Sequence, residues 1–241
     1  MPDVYLYDDV PVLKNKLGIK IEKTLDLIEA EQSRANMMLL YEQGAVEFTA
    51  AGLCDIHRFL FGDIYEWAGS YRVINIEKRE EILAGRSVWY SNNDDIPKDL
   101  NAAFDAISKI PWQTLPEEEF IRKLVPCFAR VWQVHPFREG NTRTVVMMMT
   151  LFVERYGYYM DQELLAASAG YVRNSFVMAS LGRYSEYEHL ERILLDAVCK
   201  EPPQYTIDMP EDTAESARQE KYKKYQEEKY TPRPHQVRED Q

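Results

Sequence analysis

Residues 144–153 read TVVMMMTLFV, an apolar run broken only by two threonines. A helix apolar on nearly every side has no face to turn to water. Residues 142–156 are therefore expected to form a central, buried helix. The run is too short to span a bilayer, which takes about 20 residues. The fold has to assemble around this segment, and whatever opens it is held in place.

What opens it is HPFREGNTRT, residues 135–144. Pro136 follows an apolar helical stretch, which places His135 at an exposed corner where the helix stops. Histidine titrates near neutrality and suits a general base, although a lone corner histidine is more often idle. Phe137 is expected to point inward and pin the loop. Glu139 has two readings: an oxygen ligand for Mg²⁺ beside phosphates, or an acid answering the dipole of the following helix. Gly140 and Asn141 lead into that helix, where glycine lets backbone N–H groups approach an anion. Arg143 adds a planar, permanently charged fork suited to phosphate. A base, a metal ligand, an anion cradle and a cation thus converge within ten residues.

The rest of the chain reads as mostly α. Ile21, Leu25, Ile28, Ala35 and Leu39 form a helical stripe that ends at Gly44. Thr49 caps a second helix, on which His57, near Phe61 and Trp67, reads as a packing residue. YRVINI (71–76) alternates like a strand, and 82–90 is expected to return as the second strand of a hairpin. Arg72 reads as a structural partner for a carboxylate. Further helices are expected over 97–110, with Leu100, Phe104 and Ile107 inward, over 116–134 with a kink or break at Pro126, and over 162–181 and 185–198. Met147, Met148 and Met149 read as core filler.

Composition narrows the classes. A net charge of −11 argues against nonspecific nucleic-acid or membrane-surface binding. Cys54, Cys127 and Cys199 are odd in number and scattered, which suits a reduced cytosol. The start, MPDVYLYDDVPVL, lacks the basic-then-apolar pattern of a secretion signal. Five of the 12 prolines lie beyond Lys200, among dense charge. Residues 1–200 are therefore read as one domain with its motif loop at 135–143. Residues 201–241 are read as a charged, partly disordered appendage that contains a solvated helix and is dispensable for the fold.

HPFREGNTR resembles the signature of Fic-domain proteins: His, any residue, Phe, any residue, Asp or Glu, Gly, Asn, any residue, Arg. YLYDDVPVLKNKLGIK (5–20) and IHRFLFGDIYEWAGSYR (56–72) are also similar to that family's N-terminal region. The resemblance implies a helical domain with a β-hairpin flap beside the site, and transfer of AMP from ATP to a hydroxyl side chain (Tyr, Thr or Ser) of a target protein. By the family pattern His135 takes the hydroxyl proton and Glu139 holds Mg²⁺ between the α- and β-phosphates. N–H groups of Gly140, Asn141 and Thr142 cradle the phosphates, and Arg143 meets the β-phosphate. Ile74 and Ile82 are candidate flap contacts for the target, held by strand addition. GYVRNS (170–175) is the candidate adenine pocket.

Two departures qualify the match. Thr142 stands where the family often has glycine, and Val146 where many active members carry a second arginine for the γ-phosphate. That arginine is also where the family's inhibitory glutamate docks, in a Ser/Thr-x-x-x-Glu-Gly/Asn motif. Thr114 to Glu118, Thr150 to Glu154 and Ser216 to Glu220 have the spacing, but none is followed by Gly or Asn. Restraint by a small antitoxin in trans is the family's other arrangement, and the region around VLKNKLGIK resembles that subgroup. Two alternatives stand beside AMP transfer: a Doc-like kinase that transfers the γ-phosphate, and a catalytically impaired scaffold that binds protein partners.

Overall fold

Gly44 and Thr49 set the turn between the first two helices. Helix α1 (Glu22–Gln43) ends where Gly44 takes a left-handed φ of 66° and donates its N–H to Leu40 O. Helix α2 (Ala50–Phe61) begins where Thr49 Oγ1 accepts the Gly52 N–H at 3.1 Å. This computed structural model describes residues 3–44, 46–202 and 214–226, and they are mostly α-helical. The chain divides into two compact units, 1–76 with 91–108 and 134–151, and 77–90 with 109–133 and 152–241.

The first unit contains α1, α2 and α3 (Ile96–Ser108), the last with Leu100, Phe104 and Ile107 buried as expected. Of the expected stripe, helix α1 buries Leu25 and half-buries Ile28. Its buried residues are Leu25, Glu29, Ser33, Asn36 and Leu40, while Ile21, Ala35 and Leu39 are exposed. The period is helical in both cases, but the inward face is mostly polar. Asn36 Nδ2 donates to Phe59 O and Leu60 O, both at 3.2 Å, in the last turn of α2, where carbonyls lack partners within the helix.

No strand forms over 71–76. The Ile74 carbonyl goes to a side chain instead, accepting from Arg72 Nη1 at 2.7 Å, and Arg72 Nη2 donates to Ser91 O.

The second unit holds the reversal over 77–90. It is closed by one antiparallel bridge, Glu80 to Arg86, around a 3₁₀ turn at Glu81–Leu83. Glu80 is buried and takes two hydrogen bonds from Arg173, at 2.6 and 2.9 Å. Arg173 lies on helix α7 (Ala169–Met178), which Ser168 separates from α6 (Gln162–Ala167), so the single expected helix is two. Helix α4 (Glu117–Val134) runs through Pro126 without a break. Trp112, Phe120, Phe128 and Phe152 form an aromatic core, and strands β1 (Tyr159–Met160) and β2 (Val198–Cys199) pair antiparallel.

Helix α8 (Glu188–Ala197) is joined by α9 (Ala214–Gln226). Tyr225 of α9 is 2 % exposed, and its hydroxyl donates to Asp196 Oδ2 at 2.5 Å. Burial and Asp196 push the Tyr225 hydroxyl pKa up. The expectation that everything beyond residue 200 is dispensable for the fold therefore does not extend to α9. Residues 203–213 and 227–241 lie outside the described residues.

Helix α5 (Asn141–Arg155) meets the opening expectation, with Val145, Met147, Met148, Met149, Leu151, Phe152 and Val153 buried. Val146 is the exception and is half-buried. The three cysteines are unpaired, and no helix among the described residues is long and apolar enough to cross a membrane.

Candidate functional site

The motif loop leaves α4 at Val134 and enters α5 at Asn141, wholly within the first unit. His135 reverses the chain with φ 51°, in the left-handed region that a residue with a Cβ seldom enters. It is 2 % exposed, so the expected exposed corner is a buried one. Its carbonyl is held from 63 residues away in sequence: Arg72 Nε donates to His135 O at 2.9 Å. The Arg72 N–H also donates to Pro136 O at 2.8 Å. Arg72 is itself buried, and where the sequence suggested a carboxylate partner, main-chain carbonyls receive its donors.

Phe137 is buried, as expected, and stacks on His57 with ring centroids 3.8 Å apart. His57 Nδ1 accepts the Gly69 N–H at 2.8 Å, so its proton sits on Nε2, which donates to Glu139 O at 3.0 Å. Burial, with Arg143 adding to it, pushes the His57 pKa down to about 3. His57 is thus a neutral pillar under the loop, in keeping with its reading as a packing residue.

Asn141 braces the loop from the other end. Its Oδ1 accepts the Phe137 N–H at 2.9 Å and its Nδ2 donates to Phe137 O at 2.8 Å. Its amide is spent on the chain itself, which makes it a support for the cradle. Gly140 has φ 78°, and a Cβ there would meet Phe61 ring carbons at 2.4 and 2.5 Å. Glycine is required here by the backbone and by Phe61, before any ligand is considered. Thr144 Oγ1 donates to Gly140 O at 2.9 Å. Arg138 reaches Asp3 Oδ2 from Nε and Nη2, at 2.9 and 2.7 Å.

Glu139 is half-buried, and its Oε1 accepts the Gly140 N–H at 3.0 Å. The Gly140 N–H expected for the cradle is therefore engaged by Glu139. Asn141, Thr142 and Arg143 open α5, where first-turn N–H groups have no intrahelical carbonyl to meet. No group of three or more His, Cys, Asp or Glu gathers to hold a metal among the described residues. A single carboxylate fits Mg²⁺ in the way that ion is held with nucleotides, by one or two carboxylates, phosphates and water.

Arg143 lies against α1 and α2. Nη1 donates to Ser33 Oγ at 2.9 Å, Nη2 donates to Glu29 Oε1, and the guanidinium sits 4.8 Å from the Phe61 ring centroid. The loop thus brings His135, Glu139, Gly140, Asn141, Thr142 and Arg143 into one rigid turn.

Of the remaining candidates, Ile74 belongs to the first unit and Ile82 and residues 170–175 to the second. Ile74 is half-buried and gives its carbonyl to Arg72. Ile82 is buried in the second unit, so its side chain is not offered for docking. Of GYVRNS, Gly170, Tyr171 and Asn174 line a cavity of 330 Å³ together with Ser168, Tyr225 and Gln226. Residues that sequence reasoning missed are Asp3, Glu29, Ser33 and the full reach of Arg72. The one signal for Glu29 and Ser33 was their four-residue spacing from Leu25, which a search for apolar stripes passes over.

Comparison with known proteins bears on the family and the fold. The Fic/DOC family profile matches residues 47–153. A protein adenylyltransferase of Bartonella henselae is 30% identical over 199 residues, covering 78% of this chain and 36% of that one. The chain thus spans about a third of that relative's length. A Sinorhizobium fredii protein named as a probable protein adenylyltransferase is 28% identical over 165 residues, 68% of this chain and 81% of its own. Among solved structures, the N-terminal Fic domain of a VirB-translocated Bep effector from Bartonella quintana superposes with a TM-score of 0.69 at 24% identity, covering 81% of this chain and 91% of that one. BepC of Bartonella tribocorum, solved with AMPPNP bound, gives 0.68 at 23% identity, covering 80% and 95%. The loop lies at the head of a buried helix and inside the matched span, and residues 47–153 are a domain of the Fic/DOC family.

Proposed function

We propose that the chain is a protein adenylyltransferase, moving AMP from ATP to a Tyr, Thr or Ser hydroxyl of a target protein. The observation that carries this reading is the rigid turn from His135 to Arg143, braced by Asn141 on Phe137 and by Arg72 on His135 O. A hydroxyl with a pKa of about 10 or higher needs a positioned base. In this reading His135 accepts the proton as the hydroxyl oxygen bonds to the α-phosphorus and pyrophosphate leaves. First-turn N–H groups of α5 and Arg143 neutralise the phosphates, so catalysis is mostly positioning and charge. Glu139 would hold Mg²⁺, which when bound would neutralise phosphate charge.

Residues 1–200 would form the catalytic domain and 201–241 an extension. The segment over 77–90 would serve as the flap, docking the target through main-chain hydrogen bonds. We place the protein's action in a cytoplasm, its own or a recipient cell's, with a small antitoxin in trans as its restraint.

Val146 favours a second reading. Without a second arginine the triphosphate has one cation fewer to fix its direction, which is the situation of a Doc-like kinase. ATP labelled at the α or the γ position, supplied in parallel with a susceptible lysate, separates the two. Protein label from the α position alone supports AMP transfer, and label from the γ position alone supports the kinase. No label from either, with ATP still bound, leaves the scaffold reading.

A further inference from the structure

We propose that Glu29 is a positioning residue that seats the Arg143 guanidinium for phosphate binding, with Ser33 completing the seat. The proposal rests on the reading of Arg143 as a phosphate contact. Glu29 lies on the inward face of α1 and is 7 % exposed. A buried carboxylate is stable only when its charge is paired and its oxygens are hydrogen-bonded. Both conditions are met, because Oε1 accepts from Arg143 Nη2 and Oε2 accepts the Tyr65 hydroxyl. Burial and the adjacent Glu29 push the Tyr65 pKa up, so that hydroxyl keeps its proton and stays a donor.

Arg143 is held on three sides. Nη1 meets Ser33 Oγ at 2.9 Å and Glu29 O at 3.4 Å, Nη2 meets Glu29 Oε1, and the Phe61 ring covers one face. Phe61 is the same ring that admits only glycine at position 140. The arginine and the start of α5 therefore share one support. The Arg143 side chain remains 30 % exposed, and its Nε has no partner among the described residues. A guanidinium has five donors in a fixed fork, so the edge left over can meet an anion while the other is clamped. An arginine side chain otherwise samples many rotamers, and fixing it in advance removes that entropy from the binding step. The polar face of α1 acquires a purpose in this arrangement, since it anchors a cation that would otherwise be mobile.

The test is calorimetric titration of the full chain with ATP and Mg²⁺, with adenosine as the probe that lacks phosphates. Glu29→Ala should bind ATP about tenfold more weakly and adenosine unchanged. Glu29→Gln still offers a carbonyl oxygen to Nη2 and should recover affinity to within about threefold of wild type. ATP binding by Glu29→Ala at or above wild-type affinity would overturn the proposal and mark Glu29 as a mask on Arg143. Where near-ultraviolet dichroism shows that Glu29→Ala has not folded, Ser33→Ala decides, with about threefold weakening expected and no change overturning the seat. Arg143→Ala is run alongside. If it binds ATP like wild type, Arg143 is not a phosphate contact, and that reading fails along with the proposal. If it weakens binding while Glu29→Ala does not, only the seat fails.

Discussion

Acid should destabilise this protein through His57, and the size of the effect follows from its surroundings. The imidazole is fully buried against Phe137, with Nδ1 already accepting the Gly69 N–H. A second proton on Nδ1 would face that N–H, and the charge would have no water. Its pKa in the fold is therefore held at about 3, against an ordinary 6.5. In the unfolded chain the same side chain protonates near 6.5. Between these values the unfolded state binds one proton more than the folded state, so stability falls as pH falls. The slope is about 1.4 kcal/mol per pH unit, and it ends near pH 3, where the folded form also takes the proton. From about pH 6.5 to about pH 4.5 the loss is about 2–3 kcal/mol, a large share of the ~5–15 kcal/mol that holds a typical protein folded. Urea unfolding of the full chain at several pH values in this window measures it. The control is His57→Gln, which can offer a carbonyl to the Gly69 N–H but cannot titrate. Carboxylates contribute equally to both proteins, so the difference in slope isolates His57. Parallel lines for wild type and variant would refute the argument.

Four further predictions follow from the same geometry. His135→Ala should abolish label transfer while ATP binding stays within about threefold, because the loop is held by Arg72 and Asn141 through main-chain atoms; retained transfer removes His135 from the base role. Gly140→Ala combines φ 78° with a Cβ driven into Phe61. It should cost about 2–4 kcal/mol and lower the melting midpoint by about 5–15 °C, and an unchanged midpoint would show that the loop relaxes freely. Val146 is half-buried, so Val146→Arg should fold and raise ATP affinity by up to about tenfold, read by the same titration. Tyr225→Ala should lose about 2–4 kcal/mol and Tyr225→Phe about 1 kcal/mol in urea unfolding, since one removes a buried ring and the other only the hydroxyl that meets Asp196 Oδ2 and Arg192 O.

What the sequence reveals and what it hides divide along a physical line. The Thr49 cap, the Gly44 stop, the buried α5 and the inward Phe137 are set by chemistry within a few residues, and all were legible. The motif was legible for the same reason, since its members are adjacent. The hold on the His135 carbonyl was not, because it comes from Arg72, 63 positions earlier. His57 lies 82 positions from Glu139, Arg143 lies 114 from Glu29, and Arg138 lies 135 from Asp3. No local pattern records such pairs.

The face of α1 shows why an apolar search errs in a particular direction. Two stripes share a period there, and of the more apolar one only Leu25 is buried, while Ile21, Ala35 and Leu39 face solvent. The inward one carries Glu29, Ser33 and Asn36, each of which costs desolvation unless a partner waits. Partners do wait: Arg143 for Glu29 and Ser33, and the carbonyls ending α2 for Asn36. A core built for stability alone would use leucine at these positions, because replacing buried ion pairs with apolar side chains is often neutral or stabilising. Leucine at position 29 would leave the Arg143 guanidinium without its carboxylate, beside a ring and a hydroxyl. The polar stripe is therefore better explained by what it does for the loop than by what it does for the fold. If that is right, substitutions on it should weaken nucleotide binding by more than their effect on melting would suggest, whereas equal substitutions in the aromatic core of the second unit should do the reverse.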